Sequence, residues 1–394
     1  MAKLIGIELL ELKIPFSRPI GTSTTVFESR TLILLRSVTD VGEGWGECAA
    51  LDSGTVVDPS ASELMNLMKS TGIPAFFQQL KNDNGLVPEP CDVAYGPAAT
   101  LIRNGLGRSE KSGVKANMLI ATFEMSFADL IYRERNISLA SALGVQRTSV
   151  DVGGMIGLAP AHDLGWLGAN VDELVASGIA RLRLKIAPGW DVEPTCFVRE
   201  RYPELSLQVD ANGAYQLESF GLDYAPSALL PLDSFGLRCI EQPLFANDIS
   251  GHGRLAELLD TPICLDETLT SLERLREAIE VGACQVACLK PARLGGLFAT
   301  RSILEECSSH GIDAFVGGFY EAGQARSANL SLAGLDGFTM PGDLTSPSQY
   351  LEDDPFHYSI GPGAQADILL TPGIGPPPNL DCWVESREWI EFDL

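Results

Sequence analysis

The chain has 394 residues, with 28 Lys+Arg against 52 Asp+Glu and a formal net charge of −24. That balance excludes a nucleic-acid binder, which needs a basic footprint, and makes any anionic substrate depend on local cations. The length suits one large domain and a smaller one, and 45% hydrophobic residues are enough for a sizeable core.

The nine cysteines are odd in number, and several stand inside apolar runs. They read as buried free thiols in a reducing compartment, hence a cytoplasmic protein, with Cys284 and Cys288 in core packing. The opening MAKLIGIELLELKIPF alternates and has no basic start followed by a continuous apolar run, so it reads as a strand and not a signal peptide. No stretch is long and apolar enough for a membrane helix.

LIGIELLELKIPF, SRTLILLRSVT and GWGECAAL predict a three-stranded meander, with turns near Arg18 to Thr25 and Asp40 to Gly44. Ser60 to Leu80 has helical spacing behind a serine cap, and Lys81 to Pro97 reads as a loop. Val114 to Arg133 predicts a strong helix, and Ser138 to Leu143 a short one. From Val150 the texture changes to short β-branched runs alternating with helical segments. Strands are expected at Val150 to Gly157, within RLRLKI, LSLQVDAN, LRCIEQP, PICLDET and QVACLKP, at Asp313 to Gly318 and at Gly337 to Pro341. Helices are expected at Thr195 to Tyr202, Ser219 to Leu230, Gly253 to Leu259, Ser271 to Val281, Leu297 to His310 and Gly323 to Ala333. About eight strand–helix repeats argue for an α/β barrel, a modified TIM barrel, over an open sheet. The expected organisation is an α+β capping domain over residues 1–135, a (β/α)-barrel catalytic domain over 136–345, and a C-terminal segment over 346–394 that packs back on the cap.

The five central strands each end in charge: Arg183 and Lys185, then Asp210, Glu241, Asp266 and Lys290. Singly, an Asp after a strand is usually a cap or turn residue. Together, adjacent strand ends open into one barrel mouth, where three carboxylates repel unless a divalent cation neutralises them. Oxygen donors select Mg²⁺, with Mn²⁺ an alternative, over zinc. Lys185 and Lys290 then flank the metal, and its charge is expected to lower a lysine pKa toward use as a base. The fitting chemistry is removal of a proton α to a carboxylate, with the metal bearing the developing oxyanion.

These motifs resemble the enolase superfamily, muconate-lactonizing subgroup, and within it the o-succinylbenzoate synthase / N-succinylamino-acid racemase family. The matching strings are GEGWGEC, RLRLKIAPGWD, VDANGAY, IEQPL, ICLDET, CLKPARLGG, VGGFYEAGQAR and MPGDLTS. The resemblance implies an enolase-type barrel, Mg²⁺ on Asp210, Glu241 and Asp266, and Lys185 and Lys290 as the acid/base pair. It further implies substrate contacts from Arg183, Asn212, Arg293, Gly318 and Glu321, a small-molecule carboxylate substrate, and a homo-oligomer. The first expectation is an o-succinylbenzoate synthase of menaquinone biosynthesis, a lyase. The alternative is an N-succinylamino-acid racemase, an isomerase using the same residues.

Some positions depart from the pattern. The usual KxK is Arg183-Leu184-Lys185, which keeps the charge but cannot lose a proton. Phe319 follows Gly317-Gly318 where the family has a smaller wall, and the stretch from Asp210 to Glu241 is longer. The covering segments near Arg18 to Thr25 and Leu51 to Val57 match weakly. Arg293 matches an arginine of the racemase-capable branch, although a surface or rim arginine is an equal reading. The eighth-strand region lacks the Asp-x-Asp of dipeptide epimerases. A catalytically silent barrel would have lost a ligand or a base, and all five are present.

Overall fold

The computed structural model describes residues 2–21, 26–215, 224–357 and 365–394. Strands β1 (Leu4–Gly21), β2 (Val26–Thr39) and β3 (Glu43–Cys48) form an antiparallel meander. β1 buries both faces because its apolar residues alternate in two sets. Ile7 and Leu9 belong to the main core, while Leu10, Leu12 and Ile14 join a second cluster with Tyr350, Leu351 and Phe356. β1 runs on through Gly21, past the start of the expected turn; residues 22–25 of that turn lie outside the described residues.

The helix Glu110–Glu134 lies across β3. Two glycines of GEGWGEC allow this. A Cβ on Gly44 would sit 2.2 Å from the Ser126 carbonyl oxygen, and one on Gly46 would sit 2.1 Å from that of Thr122. The stretch Ser60 to Leu80 is two helices, Ala61–Leu67 and Ile73–Asn82, joined by the wider turn Met68–Gly72. The Ser60 side chain accepts from the Glu63 N–H as expected of its cap. The helix Pro97–Leu106 was not apparent in the sequence.

After the short strand β4 (Ser149–Asp151), the barrel strands are β5 (Gly153–Ile156), β6 (Arg181–Lys185), β7 (Leu207–Asp210), β8 (Ile240–Glu241), β9 (Ile263–Leu265), β10 (Val286–Leu289) and β11 (Asp313–Val316). They pair in chain order, all parallel. The strand expected at Gly337 to Pro341 is irregular. Its neighbourhood still closes the ring: Thr339 and Met340 donate to the Ala314 carbonyl, Asp343 to that of Val316, and Gly153 to that of Gly342. Pro341 has no N–H to give a ladder, which accounts for the loss of regular pairing. Helices follow the strands, including Leu164–Ala176, which sequence reading missed, and Tyr224–Leu229, the described part of the one expected at Ser219 to Leu230. Beyond the barrel, β12 (Gln365–Asp367) pairs with β4, and β13 (Val384–Glu391) pairs antiparallel with β1.

Buried acids of the N-terminal part fasten the two layers. Glu47 on β3 accepts from the N–H groups of Ala322 and Ala325 at the start of helix Gly323–Ala333. Glu124 accepts from the Leu297 N–H, at the start of helix Leu297–Ser309. Burial pushes both carboxyl groups up to about 8. No helix among the described residues is long and apolar enough to cross a membrane.

Candidate active site

The register of the barrel stacks the charged strand ends. Lys185 stands beside Asp210, and Asp210 beside Glu241, in the β6–β7–β8 ladder. Asp266 follows β9 and Lys290 follows β10. Just beyond three of these strands the backbone enters the left-handed region at non-glycine residues: Asn212 (φ 45°), Gln242 (φ 42°) and Tyr320 (φ 57°). Such positions cost of order 1–3 kcal/mol each and persist where the surroundings enforce them, often at functional sites.

Each lysine holds an outer carboxylate of the cluster. Lys185 Nζ is 2.6 Å from Asp210 Oδ2 and also donates to Asn212 Oδ1; Lys290 Nζ is 2.7 Å from Asp266 Oδ2. Burial works to raise the Asp266 carboxyl, but Lys290 and Arg293 hold it below the ordinary carboxylate range. The Lys290 ammonium is shifted by the same contact. Burial works to lower it, yet contact with Asp266 outweighs burial and the nearby Arg293, and the lysine is raised.

Glu241 sits in the middle. Arg183 Nη1 donates to its Oε1 at 2.7 Å and Gln208 Nε2 to its Oε2 at 2.6 Å. Burial, together with Asp210, Asp266 and Asp343, pushes its carboxyl up to about 8 although Arg183 opposes this. Donor atoms of Glu241, Asp266 and the Cys288 thiol lie within 4.8 Å of one another. Asp210 adjoins this group through Arg183, whose Nη1 is 3.4 Å from Asp210 Oδ2. Glu267 lies beside the cluster with its Oε2 buried and without a hydrogen-bond partner among the described residues. Burial and the charges of Asp266 and Asp210 push Glu267 up to about 7. A buried carboxylate cluster with an orphaned oxygen fits a divalent cation that takes oxygen ligands.

Beside the cluster lies a cavity of about 740 Å³, which Glu267 helps to line. Lys185, Lys290, Asn212 and Gly318 line it, with Met155, Ile156, Leu244 and Phe319 as apolar wall. The loop from Leu51 to Asp58 reaches over from the N-terminal part, with Gly54, Thr55 and Val56 facing the cavity. The lysine side chain of Lys290 passes where Gly317 has no Cβ, since one there would lie 3.0 Å from Lys290 Cε.

The geometry corrects one expected contact and shows what the other two, Arg183 and Arg293, hold while they line the cavity. Glu321 is not a lining residue: its carboxylate is bound by Arg326 and Asn329 behind Gly318. Arg293 is not a surface or rim arginine but is 1% exposed. Its Nε and Nη2 each lie 2.8 Å from Asp58, and Nη1 is 2.5 Å from Asp266 Oδ1, so it ties the covering loop to the carboxylate cluster. Arg183 lines the cavity but is engaged with Glu241, Asp210 and Asp343. Sequence reading missed Asp58, Glu267 and Asp343. Glu267 and Asp343 stand in the quoted ICLDET and MPGDLTS strings, whereas nothing local marked Asp58.

Residues 166–378 match the family model described as "Enolase C-terminal domain-like". The chain is 36% identical over 394 residues to the N-succinylamino acid racemase of an Amycolatopsis species, covering 98% of this chain and 99% of that protein. It is 32% identical over 387 residues to the o-succinylbenzoate synthase of Bacillus subtilis, covering 97% and 96%. Among solved structures, an enolase-superfamily member from Listeria innocua superposes with a TM-score of 0.88 at 27% identity over the full length of both chains.

Proposed function

The chain belongs to the enolase superfamily, and from that membership we propose that it is a Mg²⁺-dependent enzyme that removes the proton α to a substrate carboxylate. The superfamily relatives named above are lyases and isomerases. The observation that carries the proposal is the placement of Lys185 and Lys290 on either side of three buried carboxylates, both facing one cavity.

Asp210, Glu241 and Asp266 would hold the ion, which when bound would stabilise the negative charge that develops on the substrate carboxylate. Lys185, as its neutral amine, would take the α-proton and become the ammonium; Asn212, whose Oδ1 accepts from Lys185 Nζ, fixes where that nitrogen points. The Lys290 ammonium would face the enediolate from the other side, a fixed positive charge on a largely buried side chain. Asp266 and Phe319 hold it there, the ring centroid 4.8 Å from Nζ. General base catalysis contributes about 10²- to 10⁴-fold, so electrostatic stabilisation must supply much of the rest.

The finer reading is an o-succinylbenzoate synthase. Lys185 would take the α-proton of the cyclohexadiene carboxylate precursor, then return a proton to the departing hydroxyl on the same face, in menaquinone biosynthesis. A second reading is favoured by the presence of two lysines and by the racemase relative. There Lys185 and Lys290 alternate as base and acid on opposite faces of an N-succinylamino acid. Two assays on one preparation separate them: absorbance loss of the cyclohexadiene precursor, and optical rotation of a single N-succinylamino-acid enantiomer. Turnover in the first supports the synthase. Turnover confined to the second replaces it with the racemase, and silence of Mg²⁺-loaded folded protein in both defeats the proposal.

A further inference from the structure

We infer that Arg183 is a built-in cation that competes with the metal for Glu241 and Asp210, and that Asp343 is the seat to which it withdraws. The inference rests on the metal reading above and concerns a position where this chain departs from the KxK pattern.

The Arg183 guanidinium is a fork with two addresses. Nη1 lies 2.7 Å from Glu241 Oε1 and 3.4 Å from Asp210 Oδ2; Nη2 lies 2.8 Å from Asp343 Oδ2 as a charge pair without hydrogen-bond alignment, and donates to Met155 Sδ. The side chain is 6% exposed, so none of these contacts is a loose surface pair. Asp343 is held in place independently, by Arg181 Nη2 at 2.7 Å from its Oδ1. Arg181 is itself anchored through Nε to the Pro341 carbonyl and over the Phe315 ring. One arm of Arg183 thus occupies oxygens a metal would use, while the other keeps a contact the metal does not disturb.

A lysine in this place is a compact point charge without the planar fork with which arginine spans both addresses. An arginine cannot shed its proton and so remains positive beside the ligands. Binding a divalent ion therefore means freeing Nη1 from Glu241 and Asp210 while Nη2 stays on Asp343. The consequence is a metal affinity set lower than the carboxylates alone would give, and a metal-free state whose buried acids already have a counter-ion.

The test is isothermal titration of Mg²⁺, without substrate, into metal-stripped full-length protein and its R183M, R183K, D343N and R183M/D343N forms, with circular dichroism as the fold control. R183M is expected to bind Mg²⁺ about tenfold tighter or more, and R183K to fall between it and the wild type. D343N, which leaves Arg183 only the ligand oxygens, is expected to weaken binding several-fold, and that effect should vanish in the R183M background. Unchanged or weaker binding in both R183M and R183K overturns the inference. So does an Asp343 effect of equal size in both backgrounds, which would mean a simple field effect. If wild type and E241Q give the same Mg²⁺ response, or none, the metal reading itself fails and takes this inference with it.

Discussion

Arg293 gathers, at one guanidinium, a carboxylate from the covering loop and one from the barrel mouth. Its two partners are both buried. Replacing it with Met leaves Asp58 without that counter-ion, and breaking such a pair typically costs about 3–5 kcal/mol. We expect a loss near the lower end, because Asp266 keeps Lys290, and a smaller loss in the D58N/R293M pair than the two single losses summed; urea unfolding measures both. The residues that could be read from the sequence share one trait: each is a charge at the end of an apolar run, where a strand alone gives no reason for it. Asp210, Glu241, Asp266, Lys185 and Lys290 are all of that kind, and the barrel register brings them together. Asp58 lies in a loop with no such contrast, and its partner is 235 residues away. Glu321 shows the opposite error: it stands in a motif, yet its carboxylate serves Arg326.

Among the elements, the helix Leu297–Ser309 depends on an acid from another layer. Glu124 caps it across Gly296, where φ is 116° and an added Cβ would lie 2.4 Å from Glu124 Oε1. With the carboxyl pushed up to about 8 by burial, the folded chain holds a proton here that the unfolded chain, near 4.5, gives up. The folded state thus binds more protons between these values. Its contribution is fully present below the unfolded value and is lost as pH rises through about 8. We expect E124Q to flatten the fall of unfolding free energy between pH 5 and 8 by up to about 1.4 kcal/mol per pH unit. An unchanged slope would show that Glu124 is ionised in the fold. Regular elements with strong periodicity were legible, and Gly323–Ala333 runs between the same residues in sequence and structure. The helix Leu164–Ala176 was missed because Gly165 and Gly168 dilute its pattern and only Leu167, Gly168 and Val171 are buried. The eighth segment of the ring is irregular because glycine and proline flank the few bonds it makes.

For the whole molecule, a metal held as proposed would be linked to the fold. A ligand that binds only the folded state stabilises it by about 2.7 kcal/mol at a hundredfold excess over its Kd. Mg²⁺ should therefore raise the melting temperature of the wild type, chelation should reverse the rise and remove activity, and E241Q should show little rise; calorimetry in matched buffers checks all three. The net charge of −24 leaves anionic substrate to be held by local cations, and the cavity places Lys185 and Lys290 where those are needed. The central claim is that these two lysines remove and face an α-proton's charge across a metal-binding cluster. The most direct measurement is ¹H NMR in D₂O, following the α-proton resonance of the cyclohexadiene carboxylate and of each N-succinylamino-acid enantiomer with Mg²⁺. Wild type is expected to erase the resonance of at least one substrate. The rate should fall by about 10³-fold or more in K185A, with a comparable loss in K290A for the synthase substrate or for one enantiomer. A resonance that persists with folded, Mg²⁺-loaded wild type, or that decays as fast in K185A and K290A, would contradict that claim.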